Sequence, residues 1–387
     1  MKKKFYIIAG ESSGDFIGAK LMHQLKKIYP EIQFKGVGGP QMAAEGLSSL
    51  FPMENIAVMG LIEVLSKVFT IKKLIKKTTL DIQKFQPDML ITIDSLGFNK
   101  RVALAVKHTT KAKLVHYVAP TVWAWKPKRA KEISTIFDYL LCLFDFEIAY
   151  FKKEGLKTFA VGHPIIESGA DYGSSEVFLK KYKLNPTDNF ILLMPGSRSG
   201  EIKRLLPIFT KVASNIQAKY PNTCFIMPTV EHLKKPVKTY MQTAKVNSLV
   251  ITGLENKYNS FALAKLALVA SGTVTLELSL AKVPTVVAYK VNPITGLLAH
   301  MLIKVKFASI INIIANREII KEFIQGNCQV NKISKFLLKI LQYNKYYTKQ
   351  DHRKILNILH NLGYNNYVPS EKAAQIICKI LQGEHHE

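Results

Sequence analysis

The chain has 387 residues, of which 48% are hydrophobic, and it carries a formal net charge of +26. This composition excludes a disordered or fibrous protein, and the length suffices for two domains of ordinary size. The four cysteines have neither paired nor metal-type spacing, which argues against a disulfide framework and favours a reducing compartment. The positive charge predicts an anionic partner: nucleic acid, an acidic membrane surface or a phosphorylated small molecule.

The apolar segments are too short for targeting or membrane-spanning roles. The N-terminal run Phe5–Ala9 is shorter than the core of a signal peptide. No run approaches the roughly 18 apolar residues that a membrane-spanning helix needs. We therefore expect a cytoplasmic protein, with attachment to a membrane surface left open.

The first half of the chain alternates short apolar strands with helices. The predicted strands are Phe5–Ala9, Gln33–Val37, Asp88–Ile93, Lys113–Val118, Tyr139–Leu143 and Thr158–Val161. The first strand leads into a small-residue turn that contains Glu11, Ser12, Ser13 and Asp15 and begins a helix ending at about Ile28. The spacing of this turn is not that of a dinucleotide-binding fingerprint.

Asp94 follows the predicted strand Asp88–Ile93. In open α/β sheets, ligands bind outside the carboxyl ends of the strands. We therefore predict that this carboxylate lies at a ligand-binding edge.

A basic amphipathic helix is predicted over Met59–Lys77, in which apolar residues alternate with five lysines. Such a helix can lie in a membrane interface. The alternative is a surface helix that packs its apolar side on the sheet.

Both tryptophans, Trp123 and Trp125, lie in one loop beside a cluster of basic residues. Aromatic and basic side chains together stack on bases or sugars, or anchor a protein at a lipid interface. A purely structural role, in which the loop packs onto its domain, remains the alternative.

The second half repeats the alternation after a polar, poorly periodic segment. Strands are predicted at Ile191–Met194, Cys224–Met227, Leu249–Ile251, Leu266–Val269 and Thr285–Val287. After Arg317 the pattern predicts only helices. The economical architecture is α/β, with two doubly wound domains in tandem. We expect an N-terminal domain over residues 1–165, a linker over 166–187, a second domain over 188–345, and C-terminal helices over 346–387. The C-terminal helix is expected to complete the first domain.

Two turns of the second half are candidate anion sites, because each follows a strand and begins a helix. The first contains Gly196, Ser197 and Arg198, with Glu201 at the helix start. Free backbone N–H groups and the helix dipole favour a phosphate there, and arginine can donate two hydrogen bonds to it. An ordinary strand–turn–helix joint is the alternative.

The second such turn is Ser271-Gly272-Thr273, with Glu277 one helical turn later. This carboxylate is placed to accept hydrogen bonds from ribose hydroxyls. Alternatively, it only complements the helix dipole.

Taken together, these motifs resemble the lipid-A-disaccharide synthase family. The resemblance covers the chain to about Gln325, and its landmarks are Ala9–Asp15, Gly36–Pro40, Met59–Leu65, Ile93-Asp94, His116–Trp125, Gly162–Pro164, Pro195–Arg198 with Glu201, and Ser271–Thr273 with Glu277. The first-half turn and the tryptophan motif are its most specific parts. The sequence departs from the family's usual pattern at Leu96, Phe144–Glu147 and Ile311-Asn312.

The resemblance implies a GT-B type fold, with two Rossmann-like domains facing a cleft. It implies an inverting transfer from UDP-2,3-diacylglucosamine to 2,3-diacylglucosamine 1-phosphate, without cofactor or required metal, at the cytoplasmic face of the inner membrane. Asp94 is then the candidate base, and Arg198 stabilises the leaving phosphates. Gly196, Ser197, Glu201, the Ser-Gly-Thr turn and Glu277 bind UDP. The acceptor or lipid side comprises Glu11, Ser12, Ser13, Asp15, Met59, Trp123 and Trp125.

Two other functions are weighed against this one. A related UDP-sugar enzyme, such as an undecaprenyl-linked transferase or a UDP-GlcNAc 2-epimerase, would share the second half but not the first-half motifs. A nucleic-acid-binding protein would need aromatic platforms on a basic surface, and only the tryptophan loop resembles one. We therefore expect no nucleic-acid partner.

Overall fold

A computed structural model describes residues 2–56, 61–124, 126–290, 306–343 and 346–383, with the backbone alone for 61–67. Met59 and Trp125 lie outside the described residues. The chain forms two compact units. Unit 1 comprises Met1–Pro164 and Leu362–Glu387, and unit 2 comprises Ile165–Asn361.

Unit 1 contains a parallel seven-stranded sheet. Its strands are β1 (Lys4–Ala9), β2 (Gln33–Val37), β3 (Ser48–Ser49), β4 (Met89–Ile93), β5 (Lys113–Tyr117), β6 (Tyr139–Cys142) and β7 (Lys157–Ala160). Their order in the sheet is β3-β2-β1-β4-β5-β6-β7. The order reverses between β1 and β4, and this switch point is where doubly wound sheets bind ligands.

Six helices of unit 1 follow its strands. They are α1 (Ser12–Ile28), α2 (Pro40–Ala44), α3 (Leu61–Phe85), α4 (Leu96–Val106), α5 (Arg129–Ser134) and α6 (Ile148–Lys152). The residues of β1 from Phe5 to Ala9 are fully buried, as expected for a central strand covered on both faces.

Unit 2 contains a parallel six-stranded sheet of the same kind. Its strands are β8 (Asn189–Met194), β9 (Thr223–Pro228), β10 (Ser248–Ile251), β11 (Leu266–Val269), β12 (Thr285–Tyr289) and β13 (Lys321–Ile324). The order β10-β9-β8-β11-β12-β13 places its switch point between β8 and β11. Each unit is therefore a Rossmann-like domain.

The remaining helices are α7 (Ser175–Tyr182), α8 (Ser199–Lys219), α9 (Glu231–Thr243), α10 (Leu254–Leu263), α11 (Val274–Leu280), α12 (Ile310–Ala315), α13 (Val330–Tyr343), α14 (Lys349–Asn361) and α15 (Pro369–Gln382). Helix α8 buries Leu205, Phe209, Val212 and Ile216. Their spacing of three to four residues places them on one face of the helix, against the sheet. Helix α15 packs against α1, so both ends of the chain build unit 1.

All eleven predicted strands are present, with ends that differ by at most two residues. The prediction of helices alone after Arg317 is wrong at β13, a four-residue edge strand that pairs with β12. It begins with two charged residues and buries only Phe323, so it lacks the apolar run from which a buried strand is predicted. The predicted linker 166–187 also differs from the structure, since α7 lies within it and packs against α10 in unit 2.

Candidate functional site

The carboxyl edge of the unit 1 sheet brings together the turn after β1 and the turn after β4. These strands are neighbours, and Ala9 pairs with Ile93. Gly10 and Ser95 then pack so closely that a Cβ on Gly10 would lie 2.4 Å from the Ser95 Oγ. Two predicted parts of the site, distant in sequence, therefore meet at the switch point.

Asp94 is held in a strained backbone conformation at this edge. Asp94 and Ser95 have φ values of 49° and 39°, in the left-handed region that non-glycine residues rarely adopt. The Asn99 amide donates hydrogen bonds to the carbonyls of Ile93 (3.2 Å) and Asp94 (2.8 Å), and Asp94 N–H donates to the Tyr117 carbonyl at 2.9 Å. The backbone of Asp94 is thereby fixed at the edge and its side chain is half-buried there, and Asn99 is a supporting residue that sequence reasoning missed.

The remaining residues of the first turn divide into two groups. Ser12 and Ser13 are exposed at the start of α1, and Glu11 is its half-buried N-cap. Asp15 is 1% exposed, and its carboxylate accepts backbone N–H bonds from Gly39, Gln41 and Met42 at 2.8–3.0 Å. It caps α2, so the structure places it in the scaffold below the edge and not among groups that face a substrate.

The tryptophan loop, defined here as residues 119–124, leaves the same edge after β5. Val118, which directly precedes the loop, has φ of 77°, a genuine outlier for a β-branched residue. The half-buried Trp123 donates its indole N–H to the Glu147 Oε1 at 3.1 Å. Glu147 is 2% exposed, and burial raises its pKa to about 7. Sequence reasoning noted Phe144–Glu147 only as a departure from the family pattern.

In unit 2, the turn after β8 is organised by Glu201. This carboxylate is 9% exposed, and its Oε2 accepts the N–H groups of Ser197 (3.1 Å) and Arg198 (3.4 Å). Gly196 has φ of 122°, and a Cβ there would lie 2.3 Å from the same oxygen. Glycine is thus required for the close approach, and two N–H groups predicted to bind phosphate are engaged by Glu201 instead.

Two arginines lie near this turn. The Arg198 guanidinium lies 3.7 Å from Glu201, while half of its side chain is exposed. Arg204 donates to the Lys290 carbonyl at 3.2 Å. Burial, followed by Glu201, raises the pKa of Tyr289, whose hydroxyl lies 3.4 Å from that carboxylate. Arg198 and Arg204 both act electrostatically on Tyr289, which lies beside the Glu201 carboxylate, so this turn combines two cations in an arrangement suited to an anionic ligand.

The turn after β11 lies beside the turn after β8, because these two strands pair. Gly272 and Thr273 are exposed, and Ser271 Oγ donates to the Ala308 carbonyl at 2.8 Å. Ala308 N–H donates in turn to the Glu322 carboxylate at 2.8 Å, which also accepts from the buried Asn312 amide at 2.7 Å. Asn312 therefore has a structural role, because its amide helps to hold the Glu322 carboxylate that bonds Ala308.

Glu277 is buried and engaged by two residues of α10. Lys257 Nζ donates to both carboxylate oxygens at 2.7 and 2.8 Å, and the Tyr258 hydroxyl donates at 3.0 Å. Sequence reasoning missed both partners, since α10 carries no motif. A carboxylate has about four lone-pair sites, so Glu277 has room for a ligand hydroxyl beside these donors.

Neither metal-binding nor membrane-spanning features stand out in the part of the chain that the structure describes. It contains no group of three or more His, Cys, Asp or Glu side chains arranged to hold a metal ion. None of its helices combines the length and the apolar character that crossing a membrane requires.

Comparison with known proteins places the chain in a sequence family. A family model described as lipid-A-disaccharide synthetase matches residues 5–377. The chain is 38% identical over 376 residues to the lipid-A-disaccharide synthase of Gluconobacter oxydans, covering 97% of this chain and 90% of the relative. It is 41% identical over 381 residues to that of Rickettsia prowazekii, covering 97% and 98%.

Solved structures share the fold at low identity. The UDP-N-acetylglucosamine 2-epimerase of Rickettsia bellii has a TM-score of 0.65 at 14% identity, covering 99% of this chain and 98% of that one. The UDP-GlcNAc 2-epimerase of Neisseria meningitidis, bound to UDP-GlcNAc, has a TM-score of 0.62 at 14% identity, covering 99% and 100%. At such identities the likeness shows the fold alone.

Proposed function

Since this chain belongs to the lipid-A-disaccharide synthase family, it is a glycosyltransferase of lipid A biosynthesis, and we propose how its own residues carry that reaction. The match of one family model to nearly the whole chain carries this function. In the reaction, UDP-2,3-diacylglucosamine transfers its sugar to 2,3-diacylglucosamine 1-phosphate, giving a disaccharide 1-phosphate and UDP. The alternative of a 2-epimerase is not favoured, because the epimerases resemble the chain in fold alone.

Unit 2 is the proposed binding unit for the UDP sugar. Arg198 stabilises the charge that grows on the departing pyrophosphate, supported by the nearby Arg204. Glu201 acts by holding the turn through Ser197 and Arg198 N–H groups, not by touching the phosphates.

Ribose hydroxyls are the proposed ligands of Glu277. Lys257 fixes the position of this carboxylate, which has remaining lone pairs to accept hydrogen bonds from a diol. The turn Ser271-Gly272-Thr273 contributes exposed backbone near the same ligand. Because arginine and backbone donors meet the phosphates, the proposal requires no metal, and we expect turnover to persist in excess EDTA.

Asp94 in unit 1 is the proposed base that takes the proton from the acceptor's 6-hydroxyl. Its fixed position at the sheet edge is the observation that supports this role, because a base must be held within hydrogen-bond reach of the hydroxyl. Glu11, Ser12 and Ser13 lie at the same edge and would contact the acceptor. An Asp94→Asn enzyme should lose most turnover, whereas Asp145→Asn, which changes an exposed carboxylate, should not.

The membrane is the proposed location of the acyl chains, at the cytoplasmic face of the inner membrane. Helix α3 exposes 85% of Phe69, and Lys72, Lys73, Lys76 and Lys77 are exposed on the same helix. Exposed apolar and basic side chains together favour an anionic lipid surface.

The direct test is incubation of the purified protein with both detergent-solubilised substrates. Mass spectrometry should detect a disaccharide 1-phosphate and an equal amount of UDP. Folded protein that forms UDP without disaccharide, or neither product, would contradict the proposed reaction.

A further inference from the structure

The Glu147 side chain joins two loops that leave neighbouring strands of unit 1. Its Oε1 accepts the indole N–H of Trp123 at 3.1 Å, after β5. Its Oε2 accepts the backbone N–H of Phe144 at 3.2 Å, after β6. At the base of the tryptophan loop, Val118 N–H donates to the Leu141 carbonyl of β6 at 3.0 Å. The tryptophan loop is therefore fixed to the β6 side at its start and near its tip.

Aromatic rings complete the contact around Trp123. The Trp123 and Phe146 rings pack edge to face, with their centroids 5.4 Å apart. The Phe146 and Phe144 rings are stacked, with centroids 5.5 Å apart and an interplanar angle of 15°. Phe144 in turn lies 5.9 Å from the ring of His163. Such ring pairs have preferred geometries, so they restrict the tilt of the indole while the hydrogen bond restricts its rotation.

Burying a carboxylate costs desolvation free energy, which hydrogen bonds to that carboxylate must offset. Glu147 is 2% exposed, and both of its oxygens are occupied by the two donors described above. With so little exposure it has no room to reach a substrate hydroxyl, so it is not a second base. What it supplies is an acceptor for the indole N–H, and this acceptor sets where Trp123 points.

We propose that Glu147 is the positioning residue of the acceptor side: it holds Trp123 so that the indole forms a fixed wall for the sugar or acyl part of the glycolipid acceptor. The inference rests on the proposed function for the acceptor's identity, and on the geometry alone for the link between Glu147 and Trp123. It assigns Phe144, Phe146 and Glu147 the task of supporting the tryptophan loop.

The link is tested by fluorescence in a Trp125→Phe background, where Trp123 is the single tryptophan. Glu147→Leu removes the acceptor without burying a charge, and should shift Trp123 emission to the red and increase its quenching by iodide. Glu147→Gln keeps one carbonyl acceptor, so its emission and quenching should lie between those of the Glu147 protein and those of Glu147→Leu. Asp145→Asn, an exposed carboxylate two residues away, is the matched control. Emission unchanged in both Glu147 variants, with thermal unfolding showing folded protein, would overturn the link.

The consequence for acceptor binding is tested by steady-state kinetics in the otherwise unchanged chain. Glu147→Leu should raise KM for the glycolipid acceptor by about tenfold, the factor expected for losing one hydrogen bond to a charged group. KM for the UDP sugar should stay unchanged, and Glu147→Gln should restore part of the loss. An equal rise in both KM values, or no rise, would overturn the positioning role.

The two proposals fail in different ways. If the unsubstituted chain forms no disaccharide, the proposed reaction is wrong whatever the Glu147 variants do. If it forms disaccharide and Glu147→Leu leaves the acceptor KM unchanged, only the positioning role is wrong.

Discussion

Arg198 and Glu201 lie three residues apart, and the structure gives them different work. The arginine is half exposed, whereas the carboxylate is buried and bonded to the turn. One should therefore act on the leaving group and the other on the shape of the turn.

We expect Arg198→Ala to lower kcat/KM by about 10²–10³, because a preorganised donor to developing charge contributes about 3–4 kcal/mol. UDP affinity should fall as well. Lys203→Ala removes an exposed cation from the same helix and serves as the control. Near-normal turnover of the Arg198 variant, measured by UDP release, would rule out its role at the phosphates.

Glu147 makes a testable contribution to the pH dependence of stability. Burial raises its pKa from 4.5 to about 7, so the folded state holds this proton more tightly than the unfolded state does. The resulting stability is fully present below pH 4.5 and is lost as the pH rises through about 7.

As the pH rises from acid to alkaline, the unsubstituted chain should therefore lose up to about 3 kcal/mol of unfolding free energy relative to Glu147→Gln. Urea unfolding of both proteins at about pH 5 and about pH 8 measures this relative loss. The buried His116 and His163, whose pKa values burial lowers to about 4, are common to both proteins and cancel in the comparison. A pH-independent difference would show that the carboxyl is not desolvated.

At the scale of elements, β1 and β2 approach each other at a glycine. A Cβ on Gly36 would lie 1.8 Å from the Ile7 carbonyl oxygen, which is backbone and cannot move aside. We expect Gly36→Ala to cost at least about 3 kcal/mol of unfolding free energy, through overpacking in a central pair of strands. Gly97→Ala, where a Cβ meets open space, should be close to neutral in the same denaturant titration.

Helix α3 provides the second prediction at this scale. We expect Phe69→Asp to weaken binding to anionic vesicles, since it replaces an exposed aromatic ring on a basic helix with a like charge to the lipid. Thr70→Asp introduces the same charge at the adjacent exposed position and controls for electrostatics alone. Binding is measured as the amount of protein that sediments with the vesicles. An equal decrease in the two variants would show that the ring does not insert.

At the scale of the whole molecule, the net charge of +26 and the two Rossmann-like sheets have separate consequences. The charge favours any anionic partner and does not by itself choose among phosphate, lipid and nucleic acid. The sheets choose where a ligand binds, because each has its order reversal at one place along the carboxyl edge. The proposed reaction depends on where the sheets bind ligands, and the family's motifs lie at those carboxyl edges.

The sequence by itself determined the alternation of strands and helices, the two Rossmann-like folds, the family and the turns at the strand ends. Local patterns suffice for these, since burial on both faces makes a parallel strand apolar, and small residues follow where a turn must admit a ligand. Asp94 and Gly196–Glu201 were found in this way.

Only the tertiary structure decided which partner each of these residues has. Asp15 caps α2, Glu201 occupies its own turn, Lys257 holds Glu277, and Glu147 holds Trp123. The last two pairs are 20 and 24 residues apart, and neither spacing is periodic. Hydrogen bonds of this kind depend on which strands become neighbours in the sheet, and that order is a property of the whole domain and not of any local pattern.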